Sequence, residues 1–166
     1  MGNYAHGNQP IQHMIYLYNH AGQPWKAQYK VRDVMNKLYS ATPDGYCGDE
    51  DNGQTSAWYV FSALGFYPVT PGTTEYVIGS PLFDKVTLTL EDGKQFVIES
   101  SNNLDQHPYI QAASLNGQAL QKSWLDHHVI QAGGKLQFDM GGQPNKAWAS
   151  SKEAQPYSMS LETQPH

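Results

Sequence analysis

The sequence contains little cysteine, no long hydrophobic run and no recognisable targeting segment. Its single cysteine, Cys47, cannot form a disulfide within the chain and provides no cysteine cluster for zinc. No apolar run approaches the roughly 18 residues of a membrane-spanning helix, so we expect no membrane span. The first seven residues show neither a basic-then-apolar signal pattern nor a capped first element. This start favours a boundary inside a longer protein.

Charge is also scarce, since charged residues make up 15% of the chain and the formal net charge is −5. The ten Lys and Arg residues are scattered, whereas a nucleic-acid-binding protein concentrates them on one face. We therefore expect no nucleic acid partner. Aromatic residues and uncharged amides are plentiful, and these groups suit neutral, hydroxyl-rich ligands such as sugars.

The first 65 residues or so have helical periodicity. One helix is predicted from Pro10 to Gly22, and a second begins at Pro24 with an apolar stripe. A third is predicted from about Thr55 to Leu64 and is apolar on nearly every face. A helix of this kind is expected to be buried all round, and two amphipathic neighbours cannot cover it. The pattern therefore indicates the last helices of a larger helical array.

After Pro68 the pattern becomes that of strands. Short strands are predicted at residues 75–78, 86–90, 95–98, 109–115, 118–125, 129–130 and 135–138. Asp92-Gly93 and Asn116-Gly117 are typical hairpin turns. These features predict a small antiparallel β-sandwich, which makes the fold class α+β. We divide the chain into helices (1–67), a sheet region (68–145) and a polar, loose tail (146–166).

The most informative segment is Gly48-Asp49-Glu50-Asp51-Asn52-Gly53-Gln54, which directly precedes the apolar helix. An acid here can simply cap the helix, but one cap requires one acid. In an extended loop, Asp49 and Asp51 would point to the same side, as a general base and a supporting partner would. A calcium-binding EF-hand is excluded, because the loop lacks Gly at its sixth position and Glu at its twelfth.

A second polar segment, residues 6–13, opens the predicted first helix. Its amides and imidazoles, including Asn8, Gln9 and His13, are candidate ligand contacts, although helix caps and structural histidines have the same appearance. Trp58 and Tyr59 are predicted to be core residues rather than sugar platforms. Cys47 is predicted to be inert, and His127 and His128 to be surface residues.

Several segments together resemble glycoside hydrolase family 92. They are 6–10 with His13, 16–19, 21–26, and above all 48–54 followed by Ser-Ala-Trp-Tyr-Val-Phe-Ser-Ala-Leu-Gly-Phe-Tyr-Pro-Val at 56–69. Gly79-Ser80-Pro81-Leu82-Phe83 and Leu115-Asn116-Gly117 extend the resemblance, which covers residues 4–140. Many family members have Glu where this chain has Gln9.

The resemblance implies a calcium-dependent, inverting, exo-acting α-mannosidase that releases mannose from glycans. It implies an (α/α) toroid, whose last helices would be residues 1–67. Asp51 would be the general base and Asp49 its partner, with Asn8, Gln9 and His13 near the substrate. The general acid would lie upstream, so the partner implied is the N-terminal part of the same protein. The resemblance assigns no calcium ligands here, and it implies secretion or a periplasmic location.

Two other functions stay open at this point. The chain is alternatively a non-catalytic carbohydrate-binding or structural module, which the sheet region alone would suit. It is alternatively part of a helical-toroid glycosidase or phosphorylase acting on another sugar.

Overall fold

The computed structural model describes residues 3–161, which form helices followed by two β-sheets. The helices are α1 (Leu17–His20), α2 (Pro24–Leu38), α3 (Gln54–Leu64) and α4 (His127–Gln131). The strands are β1 (Phe66–Tyr67), β2 (Glu75–Ile78), β3 (Lys85–Thr89), β4 (Gln95–Ser101), β5 (Tyr109–Leu115), β6 (Gln118–Ala119), β7 (Trp124–Asp126) and β8 (Gly134–Gly141). Within this range, no helix has both the length and the apolar character needed to cross a membrane.

The first helix predicted from the sequence is broken into short turns. Two 3₁₀ helices, Gln9–Ile11 and Met14–Tyr16, precede α1. The carbonyl of Gln12 accepts hydrogen bonds from the Trp58 indole and the Tyr4 hydroxyl, and the Tyr16 N–H turns to His13 instead. Side chains from elsewhere thus interrupt the regular ladder.

The other two predicted helices are confirmed. Pro24 occupies the first turn of α2, where a missing N–H costs nothing. Gly65 ends α3 in the left-handed conformation, with φ 104°. Trp58 is fully buried, but Val60 on the same helix is 55% exposed. The apolar helix is therefore not covered on all sides by the described part of this chain.

The strands form a three-stranded sheet in the order β1-β2-β7 and a five-stranded sheet in the order β3-β4-β8-β5-β6. Both predicted hairpin turns are present, joining β3 to β4 and β5 to β6. The prediction of a purely antiparallel sandwich is wrong, because β4 and β8 pair in parallel. Residues 118–125 do not form one strand but divide between the two sheets. Residues 129–130 lie in α4, which the Asp126 carboxylate caps.

The three-stranded sheet lies between two hydrophobic clusters. Successive side chains in a strand point to opposite faces. Phe66 and Ile78 therefore join the cluster shared with the five-stranded sheet, whereas their neighbours Tyr67 and Val77 join the cluster of the helices. The small sheet thereby fixes the helices, and the loop before α3, against the larger sheet.

Part of the segment after β8 is packed rather than loose, which corrects the expectation for residues 148–157 of the predicted tail. Trp148, Ala149 and Ala154 are buried in the cluster between the sheets. The Trp148 indole donates to the Leu120 carbonyl over 3.0 Å. Residues 162–166 of the predicted tail lie outside the described residues.

Candidate active site

The acidic loop, residues 48–54, leads into α3, and Glu50 caps that helix. Its carboxylate accepts hydrogen bonds from the N–H groups of Gly53, at 2.6 Å, and Ser56, at 3.3 Å. Hydrogen bonds from Ser56 and from the Gly53 amide lower the pKa of the Glu50 carboxyl. One acid of the three therefore serves the helix terminus.

Asp49 and Asp51 take no part in this cap. Both residues are exposed, and no group within residues 3–161 donates a hydrogen bond to either carboxylate. The loop is not extended, as the sequence argument assumed, because Asp51 has φ 51° and Asn52 φ 57°. Consecutive left-handed residues store backbone strain, a feature that occurs at functional sites. Two carboxylates are thus left available to a ligand or a water molecule.

A buried hydroxyl fixes the backbone of the acidic loop. Thr55 is 1% exposed, and its hydroxyl donates to the Asp49 carbonyl over 3.0 Å. The Gln9 amide donates both to that carbonyl, at 2.9 Å, and to the Thr55 hydroxyl, at 3.1 Å. The buried Gln12 amide lies 3.5 Å from the same hydroxyl. The loop position is therefore set by contacts with residues 9–12.

The acidic loop also touches the chain next to His6 through two glycines. A Cβ at Gly48 would lie 2.7 Å from the Cα of Gly7, and a Cβ at Gly7 would lie 2.8 Å from the Cys47 carbonyl oxygen. Only glycine permits two backbones to approach so closely. The segment before Gln9 is therefore packed directly against the acidic loop.

Behind this contact, His6 is held between two tyrosines. The side chain is 2% exposed, and its ring nitrogens lie 2.7 Å and 2.6 Å from the hydroxyl oxygens of Tyr4 and Tyr39. Burial lowers the pKa of His6 to about 4. The neutral ring donates one hydrogen bond and accepts the other, so both contacts are satisfied.

The predicted substrate contacts lie in different places. Gln9 contacts the acidic loop, as described above. Asn8 is exposed, precedes the first 3₁₀ helix and makes no side-chain cap. His13 is half-buried and lines a separate cleft with His20 and Thr70. The structure therefore brings Gln9 to Asp49, while His13 and Asn8 border different cavities.

The donor groups of the described residues do not by themselves form a metal site. No three His, Cys, Asp or Glu side chains converge anywhere in residues 3–161. A calcium ion prefers six to eight oxygen ligands, more than the two spare carboxylates of the acidic loop supply. Cys47 is exposed as a residue, but partial desolvation of its thiol raises its pKa, which disfavours the reactive thiolate.

Sequence reasoning missed His6, Gln12 and Thr55 as residues of the site. His6 and Gln12 lie inside the polar segment that the sequence singled out, but nothing marked them as buried. Thr55 is the first-turn residue of an apolar helix, and its role depends on two amides 43 to 46 positions away. Only the folded arrangement reveals it.

Comparison with known proteins is consistent with the resemblance seen in the sequence. Residues 1–142 match the profile described as the glycosyl hydrolase family 92 catalytic domain. A curated relative, an uncharacterized secreted glycosidase of Arthroderma benhamiae, is 28% identical over 156 residues, which are 92% of this chain and 20% of the relative.

Comparison with solved structures also supports membership of this family. A family 92 inverting mannosidase of Bacteroides thetaiotaomicron is 57% identical, with a TM-score of 0.91 over 96% of this chain and 22% of that one. A family 92 α-mannosidase of the same organism is 41% identical, with a TM-score of 0.92 over 95% of this chain and 21% of that one. The chain spans about a fifth of the length of these relatives.

Proposed function

Because this chain belongs to glycosyl hydrolase family 92, we propose that it forms the C-terminal part of an exo-acting α-mannosidase. The proposed enzyme releases terminal α-linked mannose from glycans with inversion at the anomeric carbon. Its similarity to one inverting mannosidase and one α-mannosidase supports this substrate and stereochemistry. The description of the curated relative as secreted supports an exported protein.

The observation that carries the proposal is that the three acids of the loop have different roles. Glu50 satisfies the helix, so Asp49 and Asp51 are not needed as caps. Both carboxylates are exposed on a loop whose backbone is fixed by Gln9 and Thr55. A general base needs this combination of an available carboxylate and a rigid support.

In the proposed reaction, the Asp51 carboxylate takes a proton from a water molecule whose oxygen attacks the anomeric carbon. The bond from that carbon to the glycosidic oxygen breaks, and the leaving oxygen receives a proton from a general acid. Inverting enzymes place the two carboxyl groups about 6.5–9.5 Å apart, with water between base and sugar. Asp49 is assigned as the supporting partner of Asp51 in this step.

Other residues would act around this centre. We assign Gln9 to holding the acidic loop, because its amide is already bonded to Asp49 and Thr55. Asn8 is the better candidate to contact a sugar hydroxyl, since its side chain is exposed beside that loop. His13 lies in the separate cleft with His20 and Thr70, and its contact with the substrate stays a prediction from the family resemblance.

The proposal includes calcium, but these residues do not fit a complete calcium site. Carboxylate oxygens of Asp49 and Asp51 are suitable donors, yet the described part of the chain brings no third acidic or imidazole group to them. The remaining ligands would come from outside this chain. The general acid is likewise assigned to the upstream part of the enzyme. We therefore expect the 166-residue chain alone to be inactive on mannosides.

Replacement of the proposed base tests the function. In the longer enzyme that carries this chain, Asp51→Asn should lower kcat on an α-mannoside by about 10²–10⁴-fold. Thermal unfolding should be unchanged, because the Asp51 side chain makes no hydrogen bond within the described residues. Asp84→Asn, at another exposed aspartate, is the matched control. Wild-type turnover by the Asp51 variant would reject the proposal.

The stereochemical part is tested separately by proton NMR of the first product released. Inversion of an α-mannoside yields β-mannose before mutarotation. Initial release of α-mannose would refute the single-displacement mechanism even if Asp51 were essential.

A further inference from the structure

A third cleft lies between the end of α2 and the loop formed by residues 39–46. Its volume is about 500 Å³, within the range of about 300–1,000 Å³ that is typical of ligand pockets. Three tyrosines line it, namely Tyr39, Tyr46 and Tyr59, together with the polar residues Asn36 and Ser40. Every residue that lines this cleft is uncharged. Tyr59, which the sequence predicts to be a core residue, is half-buried: it packs against the hydrophobic cluster of the helices and also lines this cleft.

The exposed ring in this cleft is held in place. Tyr46 is 43% exposed, but its hydroxyl oxygen lies 2.7 Å from that of Ser56. Its ring meets Tyr39 edge to face, with centroids 5.9 Å apart, and Tyr39 stacks on the buried Trp58. An isolated β-bridge joins the backbones of Tyr39 and Tyr46. An aromatic surface fixed in this way loses little further freedom when a ligand binds.

The cleft is linked to the proposed catalytic loop through Tyr46. Tyr46 precedes Asp49 by three residues. Its hydrogen-bond partner Ser56 lies in the first turn of α3, and the Ser56 N–H donates to Glu50, between the two proposed catalytic acids. Tyr46 is therefore connected to the acidic loop by its nearness in sequence and by the hydrogen bonds of Ser56.

We propose that this cleft binds the sugar on the leaving-group side of the cleaved bond, with one face of its ring on Tyr46. The assignment rests on the proposed function. Sugar C–H faces pack on aromatic rings, while the Asn36 amide and Ser40 hydroxyl can bond to ring hydroxyls. The cleft offers no cation to a phosphate, so the sugar it takes is uncharged.

The test compares two substrates in the longer enzyme. α-Mannosyl fluoride has no leaving-group sugar, whereas an α-linked mannobiose, chosen as the best of the four common linkages, has one. Tyr46→Ala should lower kcat/KM on the mannobiose about 10-fold, which corresponds to the loss of one aromatic contact of roughly 1.4 kcal/mol. Hydrolysis of the fluoride should stay within about twofold of wild type.

Two variants serve as controls, and a third variant tests whether the sugar binds in this cleft. Tyr29→Ala removes another tyrosine that is 43% exposed and should alter neither substrate. Tyr46→Phe keeps the ring and should retain most of the mannobiose activity. Asn36→Ala, in the same cleft, should lower mannobiose hydrolysis without affecting the fluoride, and it tests the proposal even if Tyr46→Ala fails to fold.

Each other outcome overturns the assignment. Equal losses on both substrates would mean that Tyr46 supports the acidic loop or is covered by another part of the enzyme. No loss on either would mean that the leaving-group sugar lies elsewhere. If the wild-type enzyme hydrolyses neither substrate, the proposed function itself fails, and the assignment of the cleft fails with it.

Discussion

The helical region and the sheet region of this chain differ in how many polar side chains they bury. Seven of the ten buried polar or charged side chains within residues 3–161 precede Phe66, namely His6, Gln12, Asn19, Gln28, Arg32, Thr55 and Ser62. The three that follow are all serines, and the cluster between the sheets is otherwise apolar. In the helical region, directed hydrogen bonds therefore add to an apolar cluster, whereas the sheet region is held mainly by apolar burial.

This contrast explains where chemistry can be located. Apolar burial is non-directional and places side chains by shape alone, so it makes a stable support. Hydrogen bonds fix particular atoms, as Thr55 fixes the Asp49 carbonyl. We therefore expect substitutions in the sheet region to change stability most, and substitutions in the polar network of the helices to change the acidic loop most.

The largest effect on stability is expected from Phe138→Ala. Phe138 is 2% exposed and lies in the cluster between the sheets. Truncation of a buried Phe costs about 3–5 kcal/mol, a large share of the about 5–15 kcal/mol that stabilises a typical domain. Chemical denaturation of the chain measures this loss of stability. The matched variant Phe83→Ala, at a 50% exposed position, should be close to neutral. Similar losses of stability in the two variants would contradict the conclusion that apolar burial stabilises the sheet region.

A smaller loss of stability, with a larger effect on the site, is expected from Thr55→Val. The substitution keeps the shape but removes the hydroxyl that serves Gln9, Gln12 and the Asp49 carbonyl. Unsatisfied buried groups cost about 1–3 kcal/mol. In the longer enzyme, kcat should fall while Thr55→Ser restores most of it. Thr87→Val, on an exposed strand position, is the control and should alter neither property. Unchanged kcat in Thr55→Val would show that the hydroxyl does not position the loop.

A pH-dependent effect is expected from His6. Because burial lowers its folded pKa to about 4 from an ordinary value of 6.5, the unfolded chain binds the proton more readily between these values. The stabilisation is complete above about pH 6.5 and is lost as the pH falls towards 4. The melting temperature of wild type should therefore decline over this window more steeply than that of His6→Gln.

His128→Gln, at an exposed histidine, is the control for that measurement and should leave the decline in place. Parallel pH profiles for wild type and His6→Gln would show that another group in the network carries the dependence.

The smallest effect is expected from Glu50→Gln. The amide oxygen can accept only one of the hydrogen bonds that Gly53 and Ser56 donate to the two carboxylate oxygens, and the charge that favours the start of α3 is lost. We expect a slight decrease in melting temperature, further reduced by salt, and little change in kcat. A loss of kcat comparable to that of Asp51→Asn would mean that Glu50, rather than its neighbours, carries the chemistry.

Some elements were predictable because their causes are local. Pro24 marks the start of α2, Gly65 marks the end of α3, and Asn116-Gly117 makes the hairpin between β5 and β6. The first helix was not predictable, because Trp58 and Tyr4 bond to the Gln12 carbonyl from distant positions. The parallel pairing of β4 with β8 was equally hidden, since strand signals carry no information about partners.

The sequence by itself determined which acids precede α3, where most strands lie and which family the chain resembles, because these depend on residue type and local spacing. The tertiary structure decided which acid caps the helix and which two stay available, since that depends on where backbone N–H groups point. It also decided that Gln9 and Thr55 hold the loop, and that Tyr46 faces a cleft. Contacts between residues distant in sequence arise only when the chain has folded.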